Sequence, residues 1–338
     1  MPHRMLRQLQ DGESVEDVYL AASKALRTNR QGGRYLQVEL RDRSGSMIGR
    51  LWNATDQHFQ SFREGECVLI RGRAQLFQGT MQLILTEIQA VGSEHYDPRD
   101  FLPQSEQEVG VLWQRLRELL QVQNPHLRAL LNFFLQDETL MQGFVQAPAG
   151  VRVHHAYLGG LLEHVVSMLE AAERLFGGER PVYPGVDRDL VLAGIFLHDL
   201  GKVRELTYAH NFGYSDEGQL VGHLVIGVEL LNEKARQVET LLGEPIPQEL
   251  LLRLKHIIVS HHGDPASGSP CLPMTPEALA VHMLDHFDSR LHMILRELRE
   301  DRFPERAWTE YHPHLERRLF KGQPEPCPAP DSKRDCRS

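Results

Sequence analysis

The hydrophobic period of the chain changes near residue 100. From Arg34 onward apolar residues recur at every second position, so that Leu36, Val38 and Leu40 share one face of an extended segment. Asp42-Arg43-Ser44-Gly45 is a hairpin turn signal, and Met47 to Asn53 is the return strand. Gly65-Glu66 opens a third strand, Cys67 to Leu76, and Gln78-Gly79 turns into a fourth, Met81 to Ile88. Short antiparallel strands joined by tight turns predict a small closed barrel, of which the OB-fold is the commonest form. Residues 14–30 ahead of it read as a short helix or lead-in segment. Asp97 to Pro103 reads as a linker. Beyond it the period is helical, with helices expected over 105–122 and 126–142, the second opened by Asn124-Pro125. Helix is expected to about residue 320, interrupted by a hairpin or loop at Leu206 to Ser215. After Gly322 the Pro-rich, charged composition predicts disorder. The expected fold class is therefore multidomain α and β. An OB-like barrel (1–95) and a linker (96–104) precede an all-α domain (105–320) and a tail (321–338).

The outward positions of the strands carry the first chemistry. If Leu36 and Val38 point in, Tyr35 points out; by the same alternation so do Arg50, Trp52, Arg71 and Arg73, with Phe77 following on that side. Rings interleaved with guanidinium groups suit single-stranded nucleic acid, whose bases stack and whose phosphates pair with arginine. The same rings would also serve to pack against the second domain. Charge favours the first use. The first 95 residues hold 12 Lys and Arg against 11 Asp and Glu, about +1, and the remainder holds 25 against 35, so −10. No apolar stretch is long enough to span a bilayer, and the polar N-terminus lacks a signal-peptide core. The four cysteines have neither metal nor disulfide spacing. A cytoplasmic protein without a membrane partner is expected.

The helical part is unusual for its histidines: of 18 in the chain, 15 lie after residue 120. Leu190 to Leu197 is apolar throughout and runs into His198-Asp199-Leu200-Gly201-Lys202, where Gly201 is expected to supply a left-handed helix stop. A carboxylate ending so apolar a helix needs a partner. His164 shares a stripe with Leu161, Val165 and Met168. His223 lies with Leu220, Gly227 and Leu230, His261 with Leu254 and Ile257, His262 with Ile258, and Asp285 with Ala278 and Val281. His256 falls on another face. Any one of these could be an ordinary core histidine. Together, on separate helices, they would strand donors and acceptors unless a cation gathered them, and imidazole with carboxylate suits manganese, iron or zinc rather than calcium.

The order His164, His198-Asp199, Asp285 resembles the HD superfamily of metal-dependent phosphohydrolases, and His223 with His261-His262 resembles its binuclear members. The wider match is to His154-His155-Ala156-Tyr157-Leu158-Gly159-Gly160-Leu161-Leu162-Glu163-His164, His198 to Lys202, and Glu217 to His223. With the barrel ahead of it, the chain resembles the YhaM-type 3′–5′ exoribonucleases over roughly residues 15–315. The resemblance implies hydrolysis of RNA, and in some cases single-stranded DNA, from the 3′ end. It implies a divalent metal, two ions by expectation and Mn²⁺ first, with Fe, Co²⁺, Mg²⁺ or Zn²⁺ as alternatives. By resemblance His164, His198, Asp199 and Asp285 match the HD ligands, with Asp199 bridging, and His223, His261 and His262 match the added set. Metal-held water would attack phosphorus as hydroxide. Lys202 is expected on the scissile phosphate or leaving oxygen, with a cation at a helix end as its plainer role. His154 and His155 are expected at the substrate entrance, and Asp288, on the face of Asp285, beside the ligands. A homo-oligomer is expected. The competing readings are an HD hydrolase of nucleotides or cyclic nucleotides, although the Gly-Tyr-Pro signature of the cyclic-di-GMP enzymes is absent after His198-Asp199, and a non-catalytic single-strand-binding accessory protein.

Overall fold

The computed structural model describes all residues except 1–2, 30–31, 78, 98–99, 106, 152–154, 209–211, 302, 304 and 323–338. The expected position of His154 and the expected disordered tail from 323 therefore lie outside the described residues.

Five strands form a closed barrel: β1 (Ser14–Thr28), β2 (Arg34–Asp42), β3 (Gly45–Trp52), β4 (Cys67–Phe77) and β5 (Thr80–Ala90), in the order β1-β2-β3-β5-β4. A short helix α1 (Asp56–Gln60) sits between β3 and β4. The alternating residues Leu36, Val38, Leu40, Val68, Ile70, Leu83 and Leu85 fill the interior. The main correction concerns residues 14–30, expected as a helix or lead-in, which form the longest strand. β1 pairs with β2 along one half and β4 along the other, and this double pairing closes the barrel. Its register shifts between Ala21 and Ser23, and the irregularity breaks strict alternation. The apolar residues Val15, Val18, Tyr19 and Leu26 then fall at near-helical spacing among helix-forming Ala, Lys and Leu. Pairing on both edges overrides that local preference.

The helical part runs α2 (Val109–Leu119), α3 (Pro125–Leu135), α4 (Glu138–Gln146), α5 (Gly160–Phe176), α6 (Arg188–Leu197), α7 (Lys202–Glu205), α8 (Asp216–Leu220), α9 (His223–Leu242), α10 (Gln248–Ser260) and α11 (Pro276–Glu300). The helix expected over 126–142 is two: Asp137 ends the first and caps α4, its carboxylate accepting from the Leu140 amide. Leu206 to Ser215 contains a hairpin with two-residue strands, Leu206–Thr207 and Gly213–Tyr214. The segment after Glu300, expected as helix, is instead held by two isolated bridges, Trp308 to Phe320 and His312 to Arg317. Pro313 fits that departure. No helix is long and apolar enough to cross a membrane among the described residues.

The centre of this part is α6. All eight residues from Leu190 to Leu197 are buried, and the helix packs against α3, α5, α10 and α11. Its N-terminus is capped by Asp187, whose carboxylate accepts from the Leu190 amide. Its C-terminal end therefore delivers His198 and Asp199 into the interior, where α5, α9, α10 and α11 bring the other histidines and acids.

Candidate metal centre

His198 and His261 are placed by the same local device. Each is the residue at which a helix ends, α6 and α10 respectively. Each folds its Nδ1 back onto a carbonyl three residues earlier: His198 to Ile195 O at 2.7 Å and His261 to Ile258 O at 2.8 Å. A carbonyl only accepts, so the proton sits on Nδ1 and the lone pair on Nε2. Acidic residues do the same for two more rings. His164 Nδ1 lies 2.7 Å from Asp288 Oδ2, and Ser167 Oγ donates to the other oxygen of that carboxylate. His223 Nδ1 lies 2.9 Å from Glu205 Oε1, which also accepts from the His223 amide.

Four imidazoles thus have their outer nitrogen engaged and the inner one turned to a shared space. Asp199 Oδ1 stands 3.5 Å from His261 Nε2 and 3.6 Å from His223 Nε2, and Asp199 Oδ2 is 3.4 Å from His198 Nε2. His164 Nε2 is 3.3 Å from Asp285 Oδ1, and His262 Nε2 is 3.2 Å from His223 Nε2. Ligands about 2.1 Å from one cation stand roughly 3.0–3.4 Å apart at right to tetrahedral angles. His198 Nε2 and Asp199 Oδ1 are buried with no hydrogen-bond partner among the described residues. Native interiors rarely leave such groups unsatisfied, and an imidazole lone pair facing a carboxylate oxygen is repulsive without positive charge between them. The donor set, nitrogen and oxygen with no sulfur, fits a divalent transition metal. Overlapping sets that could hold an ion are His164, His198 and Asp199; His198, His261 and Asp285; His223, His261 and His262; and His155, His164 and Asp288.

The electrostatics agree. Burial drives the His261 imidazole down to about 3 despite Asp199, so it stays neutral and keeps its lone pair. Burial also depresses His262. Burial opposes charge on Asp199 and Asp285 too, yet the cations and imidazoles around them hold both carboxyls well below the usual range. His164 differs from His261 and His262: burial works against its charging, but Asp285 and Asp288 prevail and hold it at about 10. The two acids demand positive charge at this point, which a metal ion would satisfy equally.

Lys202, expected on the phosphate, is buried. Its ammonium donates to Asp199 Oδ2 at 2.6 Å and to the Ala149 carbonyl at 2.7 Å. A carboxylate this deep needs a cation, and the lysine three residues on is the nearest source. Gly201 does not form the expected left-handed stop; its φ is −59°. It is needed for space, since a Cβ there would sit 2.1 Å from the His223 carbonyl. That close approach brings the start of α9 against His198-Asp199. His155 is buried, with φ 45°, stacked on His292 at 3.7 Å between ring centroids and 3.8 Å from Asp288. Tyr157 Oη meets His292 Nε2 at 3.1 Å. His256 lies away from the centre, accepting from the Met274 amide. Sequence reasoning missed Glu205, though its place three residues after Lys202 put it on the same helical face. It also missed His292, four residues beyond Asp288.

On the barrel, Tyr35 and Trp52 are cross-strand partners with ring centroids 4.9 Å apart. Gln37, Arg50, Ile84 and Arg73 lie on one line across β2, β3, β5 and β4. Phe77 is exposed at the end of β4. The strand register shift between Arg71 and Gly72 takes Arg71 out of step, and ion pairs to Glu16 and Glu87 neutralise it. Arg73 donates to the Gly12 carbonyl. Tyr35, Trp52, Arg50 and Arg73 thus share a surface, while Arg71 belongs to a separate ionic cluster.

Comparison with known proteins follows the same division. Residues 22–91 match the family described as OB-fold nucleic acid binding domain, and residues 161–290 match the HD domain. The chain is 32% identical over 311 residues to the 3′–5′ exoribonuclease YhaM of Bacillus subtilis, covering 91% of this chain and 95% of that protein. It is 33% identical to the protein of that name from Bacillus licheniformis, covering 91% and 95%. With the Oceanobacillus iheyensis protein the identity is 30%, covering 88% and 92%. A barrel of the nucleic-acid-binding kind, a helical core that gathers imidazole and carboxylate, and likeness along nine-tenths of the chain lead to one assignment: the chain belongs to the YhaM family of 3′–5′ exoribonucleases.

Proposed function

We propose that this chain is a divalent-metal-dependent 3′–5′ exoribonuclease that removes nucleotides from the 3′ end of single-stranded RNA, with single-stranded DNA as a second substrate. The observation that carries the reading is the set of four rings whose Nδ1 atoms are engaged and whose Nε2 atoms converge with Asp199 and Asp285. Two ions, Mn²⁺ by first expectation, would share Asp199. One would be held with His164, His198 and Asp285, the other with His223, His261 and His262. When bound, such ions supply Lewis acidity, acidifying water and neutralising charge on the phosphate.

The chain's own residues do the rest. Lys202 is a positioning residue that fixes one oxygen of Asp199, leaving the other for the shared space. Glu205 and Asp288 fix the tautomers of His223 and His164. His155, with His292 and Tyr157 beside it, borders the centre where the terminal nucleotide would sit. On the barrel, Tyr35 and Trp52 stack bases, Phe77 adds a further ring, and Arg50 and Arg73 meet phosphates. Arg71, paired to two acids, contributes less.

Incubating the protein with 5′-labelled single-stranded RNA and Mn²⁺ tests this. Progressive shortening from the 3′ end is expected. A substrate that stays intact but is retarded in a gel would overturn the reading in favour of a binding protein. Preferential hydrolysis of free nucleotides would overturn it in favour of a small-molecule hydrolase.

A further inference from the structure

Between α2 and α3 lies a cavity that neither the metal centre nor the barrel surface uses. It encloses about 370 Å³, within the range of small-ligand sites. α2 packs chiefly on α5, and α3 on α4, α6 and α9. The two helices therefore scarcely touch, and a groove opens beside residues 120–124, which join them. Helical spacing decides what borders it. Trp113 and Arg117 lie four residues apart on α2, and Arg128 and Asn132 four apart on α3, with Leu131 and Leu135 beside them.

The charge of this groove is unlike that of the acidic part of the chain around it. Cations there commonly face a carboxylate: Arg115 pairs with Glu170, Arg188 with Glu173, Arg204 with Glu217 and Lys234 with Asp137. Arg117 and Arg128 do not. Among the described residues neither guanidinium has an ion pair or a hydrogen bond, and none of the ten residues lining the cavity is acidic. Two guanidinium groups bordering one small space call for an anion, which each can hold by two parallel hydrogen bonds. Trp113, half-buried against the core, gives the same space an aromatic wall, and Leu131 and Leu135 give it an apolar floor.

The ligand that joins these features is an aromatic ring bearing a phosphate, and the volume limits it to one nucleotide. A phosphate monoester carries close to two negative charges at neutral pH, which two guanidinium groups match; a diester inside a strand carries one. A base stacks on an indole face, and the Asn132 amide can both donate to and accept from a base edge. We propose that the groove between α2 and α3 is a second nucleotide site, which binds a free nucleoside monophosphate with its base on Trp113 and its phosphate on Arg117 and Arg128. The exoribonuclease reading names a source for that ligand. When the oxygen of water bonds to phosphorus and the 3′ oxygen leaves, the nucleotide released keeps its 5′ phosphate. The binding itself does not rest on that reading and would survive its failure.

Calorimetric titration of the full chain with adenosine 5′-monophosphate tests this, with a chelator present so that no divalent ion at the metal centre holds the phosphate. One site per chain is expected, at least about tenfold tighter than for adenosine or inorganic phosphate. Arg117→Gln and Arg128→Gln, both at exposed positions, should each weaken it about tenfold and leave adenosine unchanged. Trp52→Ala on the barrel should bind it as the wild type does. No binding at millimolar concentration, inorganic phosphate binding equally well, full affinity in the arginine variants, or loss in Trp52→Ala overturns the proposal. A short single-stranded RNA with hydroxyl ends that displaces the nucleotide from the Trp52→Ala protein as well as free nucleotide does overturns it in favour of a strand. Should an arginine variant misfold, Asn132→Asp, which sets a carboxylate in the groove, decides: weaker binding is expected, and unchanged affinity overturns the proposal equally.

Discussion

Among the described residues, one cluster of histidine and carboxylate lies in the barrel and another in the helical part, and they differ in one respect. In the barrel, His3 lies between Asp17 and Asp42, 3.3 and 3.4 Å from them, and edge-on to Tyr19 and Phe101. Asp42 is saturated: it also accepts from the Leu6, Ser44 and Gly45 amides and the Ser44 hydroxyl. The cluster is closed and pins the N-terminal segment to the barrel. In the helical part four rings, His164, His198, His223 and His261, are held on their outer nitrogen, and the inner atoms of the cluster face one another at 3.2–3.6 Å. That cluster is open. Both are built from the same side chains, so composition cannot separate them; the satisfaction of each atom can. A closed cluster is structure, and an open one is a place for a cation.

The largest expected effect sharpens the open side. Asp199→Ala removes the carboxylate shared by both proposed ion sites and should abolish RNA hydrolysis. Strand binding, carried by the barrel, should persist in a gel-shift assay. Comparable turnover in the variant would break the distinction between the clusters. Asp288→Asn keeps the shape but no longer fixes the His164 tautomer, and such outer partners typically contribute 10–100-fold in metal affinity. Calorimetric titration of the metal-free protein with Mn²⁺ checks it, and unchanged affinity would reduce Asp288 to packing.

Much of this was legible in the sequence, and what was not has identifiable causes. The strands β2 to β5 were readable because each alternates cleanly between a filled interior and a wet face. β1 was not, because its register shift at Ala21 and its two partners spread its apolar residues at helical spacing. The inward histidines could be picked out because each lies on an apolar stripe of its own helix. Their supports could not be identified so directly: Glu205 and Asp288 look like ordinary surface acids until α9 and α5 pack beside them. Lys202 was visible, but only tertiary burial turns it from solvent toward Asp199.

Two smaller effects test the barrel. Trp52→Ala should weaken single-stranded RNA binding by about 1–3 kcal/mol if a base stacks there; unchanged affinity by fluorescence titration would move the binding face elsewhere. His3→Gln tests the closed cluster. Burial alone would lower the His3 imidazole, but Asp17 and Asp42 raise it to about 9. A group raised on folding stabilises fully below its unfolded value of about 6.5, and that contribution fades as pH climbs through 9. The acids behave oppositely: burial would raise Asp17 and Asp42, but their partners depress them, so their contribution is lost as pH falls below their ordinary range. The wild type should therefore lose on the order of 2 kcal/mol of unfolding free energy between pH 6.5 and 9.5 from this residue. His3→Gln should lack that alkaline decline in denaturant titrations; an identical pH profile would mean the cluster is not what it is taken to be.

The central claim is that the open cluster is a metal site. Elemental analysis of the purified protein, repeated after chelation and after refilling with Mn²⁺, measures it directly. The expected result is about two divalent ions per chain, fewer in His198→Ala, with RNA hydrolysis rising and falling with occupancy. A chelated protein that binds no divalent ion, yet shortens RNA at the full rate, would contradict the account.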